Sequence, residues 1–264
     1  MRFFDSHAHY WDTRFALETE AGADALIDSL LNTTVSGIIN VGTNLETTIL
    51  SVKQAQKHHR MYAIGGVHPG DIPDDMSLSD LESGFLPLFS DPANKLVALG
   101  EIGLDYHYTP FDKERQMAFF DAQMALADRL SLPVVIHDRE AHGDSFDMIR
   151  RFPNVRGVFH SYSGSAEMAK ALVSLGYMIS FSGTVSFKNA RNVKETASRL
   201  PKDCVLIETD APYLTPHPHR GKMNHSGYLE YTAAALAEIW SLPVCDVAQI
   251  TEENAIKFFR LSDF

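Results

Sequence analysis

Eight short apolar runs rich in β-formers recur along the chain, each followed by a longer stretch that can form a helix. The runs are Phe3–Asp5, Gly37–Val41, Met61–Val67, Leu96–Gly100, Pro133–Ile136, Gly157–Phe159, Tyr177–Phe181 and Cys204–Ile207. Their spacing is near the roughly 30 residues of a strand plus its crossover helix. Regular alternation of strand and helix predicts a parallel sheet. The runs are apolar almost throughout, as strands covered on both faces must be. Eight repeats with no break in composition predict an α/β chain folded as a single (β/α)8 TIM barrel over residues 1–264. An open, doubly wound sheet is the rival architecture.

The helical stretches carry matching signals. Over Phe111–Leu130, Phe111, Met117, Phe120, Met124 and Ala127 mark one face, while Glu114, Arg115, Asp121 and Asp128 lie elsewhere. Ala166–Leu175 ends at Gly176, a suitable helix terminus. Tyr228–Trp240 and Val244–Phe259 read as two helices separated at Pro243. Asp71–Asp80 reads as an exposed acidic loop. Barrels of about 250 residues form one domain, so 264 residues need no second core. The two cysteines, Cys204 and Cys245, form no metal or redox spacing and fit a reducing compartment. No apolar run of about 18 residues predicts a membrane span, and the opening residues lack the apolar core of a signal peptide. The expectation is a cytoplasmic protein, with a monomer as the working assumption. A net charge of −11 argues against a broad basic face for nucleic acid. An anionic substrate would need bound cations or a few placed Arg and Lys.

The ends of the runs carry the chemistry. His7 and His9 stand two apart after the first run, so in a strand both would face one way and converge on one ion. The third run leads to His68, the fourth to Glu101, the fifth to His137, the sixth to His160 and the eighth to Asp210. In a barrel all C-terminal strand ends meet at one mouth. Imidazole with carboxylate suits two divalent metal ions drawn from Zn, Mn, Fe or Ni, with Mg less suited to four histidines. A carboxylate can bridge such a pair, and Glu101, from the middle of the barrel order, is the natural bridge. Two ions about 3.5–4 Å apart can clamp the attacking and leaving oxygens of a phosphoryl centre. Asp210 can bind metal and also accept the proton of the attacking water.

The motifs Asp5-Ser6-His7-Ala8-His9, Gly66-Val67-His68-Pro69, Gly100-Glu101-Ile102-Gly103-Leu104-Asp105-Tyr106, Leu132-Pro133-Val134-Val135-Ile136-His137, His160-Ser161-Tyr162-Ser163-Gly164, Glu208-Thr209-Asp210-Ala211-Pro212-Tyr213 and Arg220-Gly221-Lys222, with Asn224 beyond it, follow one another in order. In them the sequence resembles the TatD family of metal-dependent deoxyribonucleases, within the amidohydrolase-like barrels, from residue 3 to about residue 260. The resemblance implies a barrel, a metal pair and hydrolysis of DNA phosphodiesters, as a 3′–5′ exonuclease acting on single strands or 3′ ends. It implies His7, His9, Glu101 and Asp210 around one metal and Glu101, His137 and His160 around the other. Asp210 and Glu101 are then the catalytic carboxylates, and His68, Arg220 and Lys222 face the substrate. Gly70, Ser161-Tyr162 and His225-Ser226 depart from the family pattern without removing a ligand.

Other residues have weaker readings. Tyr106 and Tyr108 fit base stacking or loop packing. Arg139 fits a phosphate clamp or a surface ion pair with Asp138 or Glu140. Arg220 and Lys222 follow the eighth strand, where barrels often bind phosphate. Glu208 shares strand parity with Asp210 and fits a supporting role. His58 and His59 are expected in solvent, and His107, His142, His217, His219 and His225 are given no ligand role. The competing functions are hydrolysis of a small phosphoester, amide or lactone by the same metals, and a non-catalytic metal-binding partner.

Overall fold

The computed structural model describes residues 1–19 and 22–261. Eight strands, β1 (Phe3–Ala8), β2 (Val35–Val41), β3 (Met61–Gly65), β4 (Leu96–Asp105), β5 (Val134–Arg139), β6 (Gly157–Phe159), β7 (Met178–Phe181) and β8 (Val205–Ile207), pair in parallel and in chain order. The helices are α1 (Thr13–Glu18), α2 (Gly22–Thr33), α3 (Leu45–Lys57), α4 (Leu78–Ser90), α5 (Lys113–Leu130), α6 (His142–Arg150), α7 (Ala166–Ser174), α8 (Arg191–Arg199), α9 (Leu229–Trp240) and α10 (Val244–Phe259). The ring closes through a bridge between Ala8 and Ala211. There the His9 N–H donates to the Ala211 carbonyl at 2.7 Å, and the Asp210 N–H donates to the His7 carbonyl at 2.9 Å. The expected (β/α)8 barrel is the architecture, and its closing bonds run through three of the expected metal ligands.

Side chains fill the barrel rather than leaving a pore. Phe4, Ile39, Val41, Tyr62, Ile64, Ala98, Val135, Val158 and Leu206 are buried together inside the ring. A second layer lies between strands and helices, where Ile102, Leu104, Ile136, Phe159 and Ile207 belong to one cluster with Phe120, Met124 and Leu236. Each fully buried side chain of this size is worth about 1.5–3 kcal/mol. The helix ends follow local chemistry. Asn44 and Thr47 form a reciprocal cap on α3, and Ser77 and Asp80 form one on α4. Asp112 caps α5, so Phe111 precedes that helix and packs outside its face. No single described helix is long and apolar enough to cross a membrane.

Two irregularities in the sheet aim the mouth residues. The register slips between Asp5 and Ala8 in β1, and between Leu99 and Ile102 in β4. Because strand side chains alternate with period two, such a slip reverses which parity faces inward. Phe4 fills the barrel, yet beyond the slip Ala8 packs outward with Phe15. Ala98 fills the barrel, yet Ile102 and Leu104 pack outward with Phe120. His7, His9, Glu101 and Asp105 thereby turn inward.

β4 also runs five residues beyond the apolar run read from sequence, so Glu101 lies within the strand and Asp105 ends it. Gly103 permits this course. It has φ +138°, and a Cβ there would lie 2.0 Å from the His137 carbonyl oxygen across the β4–β5 pair. Gly103→Ala is expected to cost about 3 kcal/mol of stability from backbone strain and overpacking, read as a lowered thermal midpoint. An unchanged midpoint would contradict the close approach.

Candidate active site

The mouth of the barrel opens into a cavity of about 620 Å³. His9, His68, Glu101, His137, His160 and Asp210 line it together with Asp105, Arg139 and Tyr108, while His7 lies buried against them. At the centre is Glu101. Its Oε2 lies 3.3 Å from His7 Nε2 and 3.8 Å from His9 Nε2. Its Oε1 lies 2.8 Å from His137 Nδ1 and 2.8 Å from His160 Nε2. One carboxylate thus gives one oxygen to each histidine pair. Asp210 Oδ1 stands 3.3 Å from His9 Nε2 and 3.7 Å from His7 Nε2.

Outer hydrogen bonds set the orientation of three of these rings. His9 Nδ1–H donates to the Val41 carbonyl at 2.7 Å. His137 Nε2–H donates to Asp105 Oδ2 at 3.0 Å, and His160 Nδ1–H donates to Glu208 Oε1 at 3.2 Å. A neutral imidazole holds one N–H, so each inner nitrogen is left with a lone pair aimed at the centre. Those lone pairs face carboxylate oxygens, which also only accept. His7 Nε2 and His9 Nε2 are 3.2 Å apart, as are His137 Nδ1 and His160 Nε2. A buried shell composed of acceptors is what a cation satisfies, so the donor set fits divalent metal ions. Four overlapping groups of such donors occur among the described residues: His7, His9 and Glu101; His7, His160 and Asp210; Glu101, His137 and His160; and His68, Asp105 and His137.

Without cations, protons take that role. Burial opposes ionisation of Glu101, but the charge on His160 and the hydrogen bonds of His137 and His160 outweigh it and hold its carboxyl well below the usual range. Burial likewise opposes charge on His160, but Glu101 and Glu208 raise its pKa well above that of a free imidazole. His7 shifts the other way, lowered by burial and by His160. Burial and His137 push His68 down to about 3, so its ring is neutral at physiological pH. The Gly70 N–H donates to His68 Nδ1 at 3.0 Å, which leaves the ring proton on Nε2, 3.6 Å from Glu101 Oε1.

Asp105 is the residue that the sequence reading left without a role. It shares inward parity with Glu101, and that alternation was the available signal. Asp105→Asn is expected to weaken metal binding about 10- to 100-fold, since an amide holds the His137 ring less firmly. Calorimetric titration of metal into the metal-free variant checks this, and an unchanged affinity would remove Asp105 from the supporting shell. Asp5 was also passed over. It is buried and accepts from Thr209 N–H at 3.0 Å and Thr209 Oγ1–H at 2.6 Å, tying β1 to the end of β8. Burial pushes its carboxyl up to about 6.

The remaining expected residues separate into two groups. Arg139 and Tyr108 stand at the mouth, with the guanidinium 4.8 Å from the ring centroid and Nη1 donating to the phenol oxygen at 3.1 Å. Arg139 therefore pairs with an aromatic ring, not with Asp138 or Glu140. Tyr106 instead stacks on Phe111 and donates to Asp144 at 2.7 Å, which makes it part of the loop packing. Arg220 and Lys222 do not line the mouth cavity. Arg220 sits 4.2 Å over Phe187, and the loop is anchored by Asn224, whose amide donates to the Thr209 and Tyr213 carbonyls. His58 corrects the expectation of a solvated ring. It is buried, with Nδ1 2.8 Å from Asp28 and Nε2 3.0 Å from Asp24, because α3 ends against α2.

The chain is similar in sequence and fold to known proteins. The sequence profile of the family described as TatD related DNase matches residues 4–260. The uncharacterized metal-dependent hydrolase YabD of Bacillus subtilis (strain 168) is 36% identical over 261 residues, 98% of this chain and 99% of its own. The uncharacterized metal-dependent hydrolase TatD of Mycobacterium tuberculosis is 34% identical over 266 residues, 97% of either chain. Among solved structures, YJJV, a TATD homolog from Escherichia coli K12, superposes with a TM-score of 0.86 at 31% identity, covering 99% of each chain.

Proposed function

The chain belongs to the TatD family of metal-dependent hydrolases, and from that premise we propose that it is a deoxyribonuclease that trims single-stranded DNA from 3′ ends. The observation that carries the reading is the division of Glu101 between two histidine pairs, with Oε2 toward His7 and Oε1 toward His137 and His160. His7, His9, Glu101 and Asp210 would hold one ion, and Glu101, His137 and His160 the other. When bound, such ions polarise phosphoryl oxygens and acidify water toward a pKa of about 7.

The residues of the chain do the rest. Burial works against ionisation of Asp210, but the His9 hydrogen bond, with His160 and His7, lowers its pKa, so it is a carboxylate at neutral pH. In that form it accepts the proton of the attacking water. His68, neutral and carrying its proton on Nε2, donates to a phosphoryl oxygen without adding charge to the site. Arg139 at the rim provides a cation for a neighbouring phosphate. Two free cysteines, buried Cys204 and exposed Cys245, are compatible with a reducing cytoplasm.

The net charge of −11 favours a second reading, hydrolysis of a small phosphoester, because little of the surface would attract polymer. The test is metal-replete protein on single-stranded DNA with Mg²⁺, Mn²⁺ or Zn²⁺, beside a panel of small phosphoesters. Intact DNA in every metal would sink the nuclease reading. A small ester cleaved orders of magnitude faster than DNA would select the second.

A further inference from the structure

A second cavity, of about 260 Å³, adjoins the mouth between the loop after β3 and the loop after β4. Asp105 and Tyr108 line both cavities. We propose that this slot is a subsite for one nucleobase next to the scissile phosphodiester, an inference that rests on the nuclease reading above.

Size limits the occupant. Sites for whole drug-sized ligands run to roughly 300–1,000 Å³, so this slot takes a single ring system. Its walls are apolar where Pro69, Ile72, Pro110 and Phe111 contribute, and Gly70 contributes only backbone. Tyr108 is 67% exposed as a residue and offers an aromatic surface on which a base can stack.

Charge limits the occupant further. Asp74, Asp105 and Asp112 line the slot with one cation, Arg115, whose guanidinium is tied to the backbone through Nη2. Its Nη2 donates to the carbonyls of Pro73, Asp74 and Met76 at 2.5, 3.3 and 3.1 Å. Three carboxylates against one guanidinium disfavour a phosphate and favour an uncharged ring.

Position supplies the link to the reaction. Asp105 accepts from His137 at 3.0 Å while also lining the slot, so one side chain separates the slot from the metal-ligand cluster. A nucleobase is the part of a nucleic acid that lies next to its phosphate and is uncharged, as a slot adjoining the mouth through Asp105 and Tyr108 requires. Arg139 lies on the mouth side of the same Tyr108 ring, beside the phosphate path.

The experiment uses Mn²⁺-loaded protein and single-stranded oligonucleotides that differ only in an abasic residue on one or the other side of the cleaved bond. The base-bearing strand is expected to have about tenfold higher kcat/KM than one of the two abasic strands. Tyr108→Ala, which removes the platform, and Ile72→Trp, which fills the slot, are each expected to bring that ratio close to one. Should Ile72→Trp fail to fold, Tyr108→Ala decides alone, since its side chain stands at the surface. Equal cleavage of all strands by the wild type, or a ratio that survives Tyr108→Ala, overturns the subsite and leaves the nuclease reading standing. Cleavage of no strand overturns both.

Discussion

Asp210→Asn is expected to lower kcat on single-stranded DNA by about 10³-fold while the barrel stays folded. Asp210 holds a left-handed backbone at φ +57°, a conformation that asparagine tolerates as well as aspartate does. Its N–H bond to the His7 carbonyl at 2.9 Å comes from the main chain and survives the change. What disappears is the negative charge beside His9 and the group that takes the water's proton. General-base contributions run to about 10²–10⁴, and a loss of 10³ is about 4 kcal/mol of transition-state stabilisation. A variant of unchanged thermal midpoint that still cleaves DNA at more than a tenth of the wild-type rate would remove Asp210 from the chemistry.

Glu101→Gln is expected to have the larger effect on metal content. Gln keeps the shape but offers one oxygen and an N–H₂, so it cannot present an oxygen to both histidine pairs and the ions they would hold. Elemental analysis of the purified variant is expected to give at most half the metal of the wild type, and activity is expected to fall by at least about 10³-fold. Full metal content would show that Glu101 does not bridge.

The same substitution has a pH signature in metal-free protein. Glu101 has a lowered folded pKa, so its contribution to stability is present above its ordinary value of 4.5 and is lost as pH falls through the folded value. His160 has a raised folded pKa, so its contribution is present below its ordinary value of 6.5 and is lost as pH rises through the folded one. Both are in force between those ordinary values. Near pH 5.5, metal-free wild type is therefore expected to exceed metal-free Glu101→Gln by about 3 kcal/mol, the usual scale for breaking a buried pair. The gap should narrow toward alkaline pH. Denaturant titrations at pH 5.5 and 8.5 measure it, and a gap that widens with pH would contradict the pairing.

Much of the barrel was legible because its cause is local. Buried parallel strands must be apolar, and the crossover helices must be amphipathic, so both leave runs that a linear reading detects. The candidate ligands were legible for a related reason. A His, Glu or Asp following an apolar run has few purposes in a core, and a barrel brings those positions to one mouth. Arg220 and Lys222 were less legible. A loop's order along the chain places it near the mouth, but packing of Arg220 on Phe187 and anchoring by Asn224 set where its side chains go. His58 was misread because its partners, Asp24 and Asp28, come from another helix some 30 residues away.

By itself, then, the sequence determined the eightfold strand–helix order and the identity of His7, His9, Glu101, His137, His160 and Asp210 as one set of metal-ligand types. Only the tertiary structure decided which way they point. The register slips in β1 and β4 reverse the side-chain alternation, and they exist only against the neighbouring strands that define the register. Tertiary contact also supplied Asp105 to His137, Glu208 to His160 and the Val41 carbonyl to His9. The physical reason is that apolar periodicity reports burial one residue at a time, whereas a ring's orientation depends on hydrogen bonds to groups that only the closed barrel brings near.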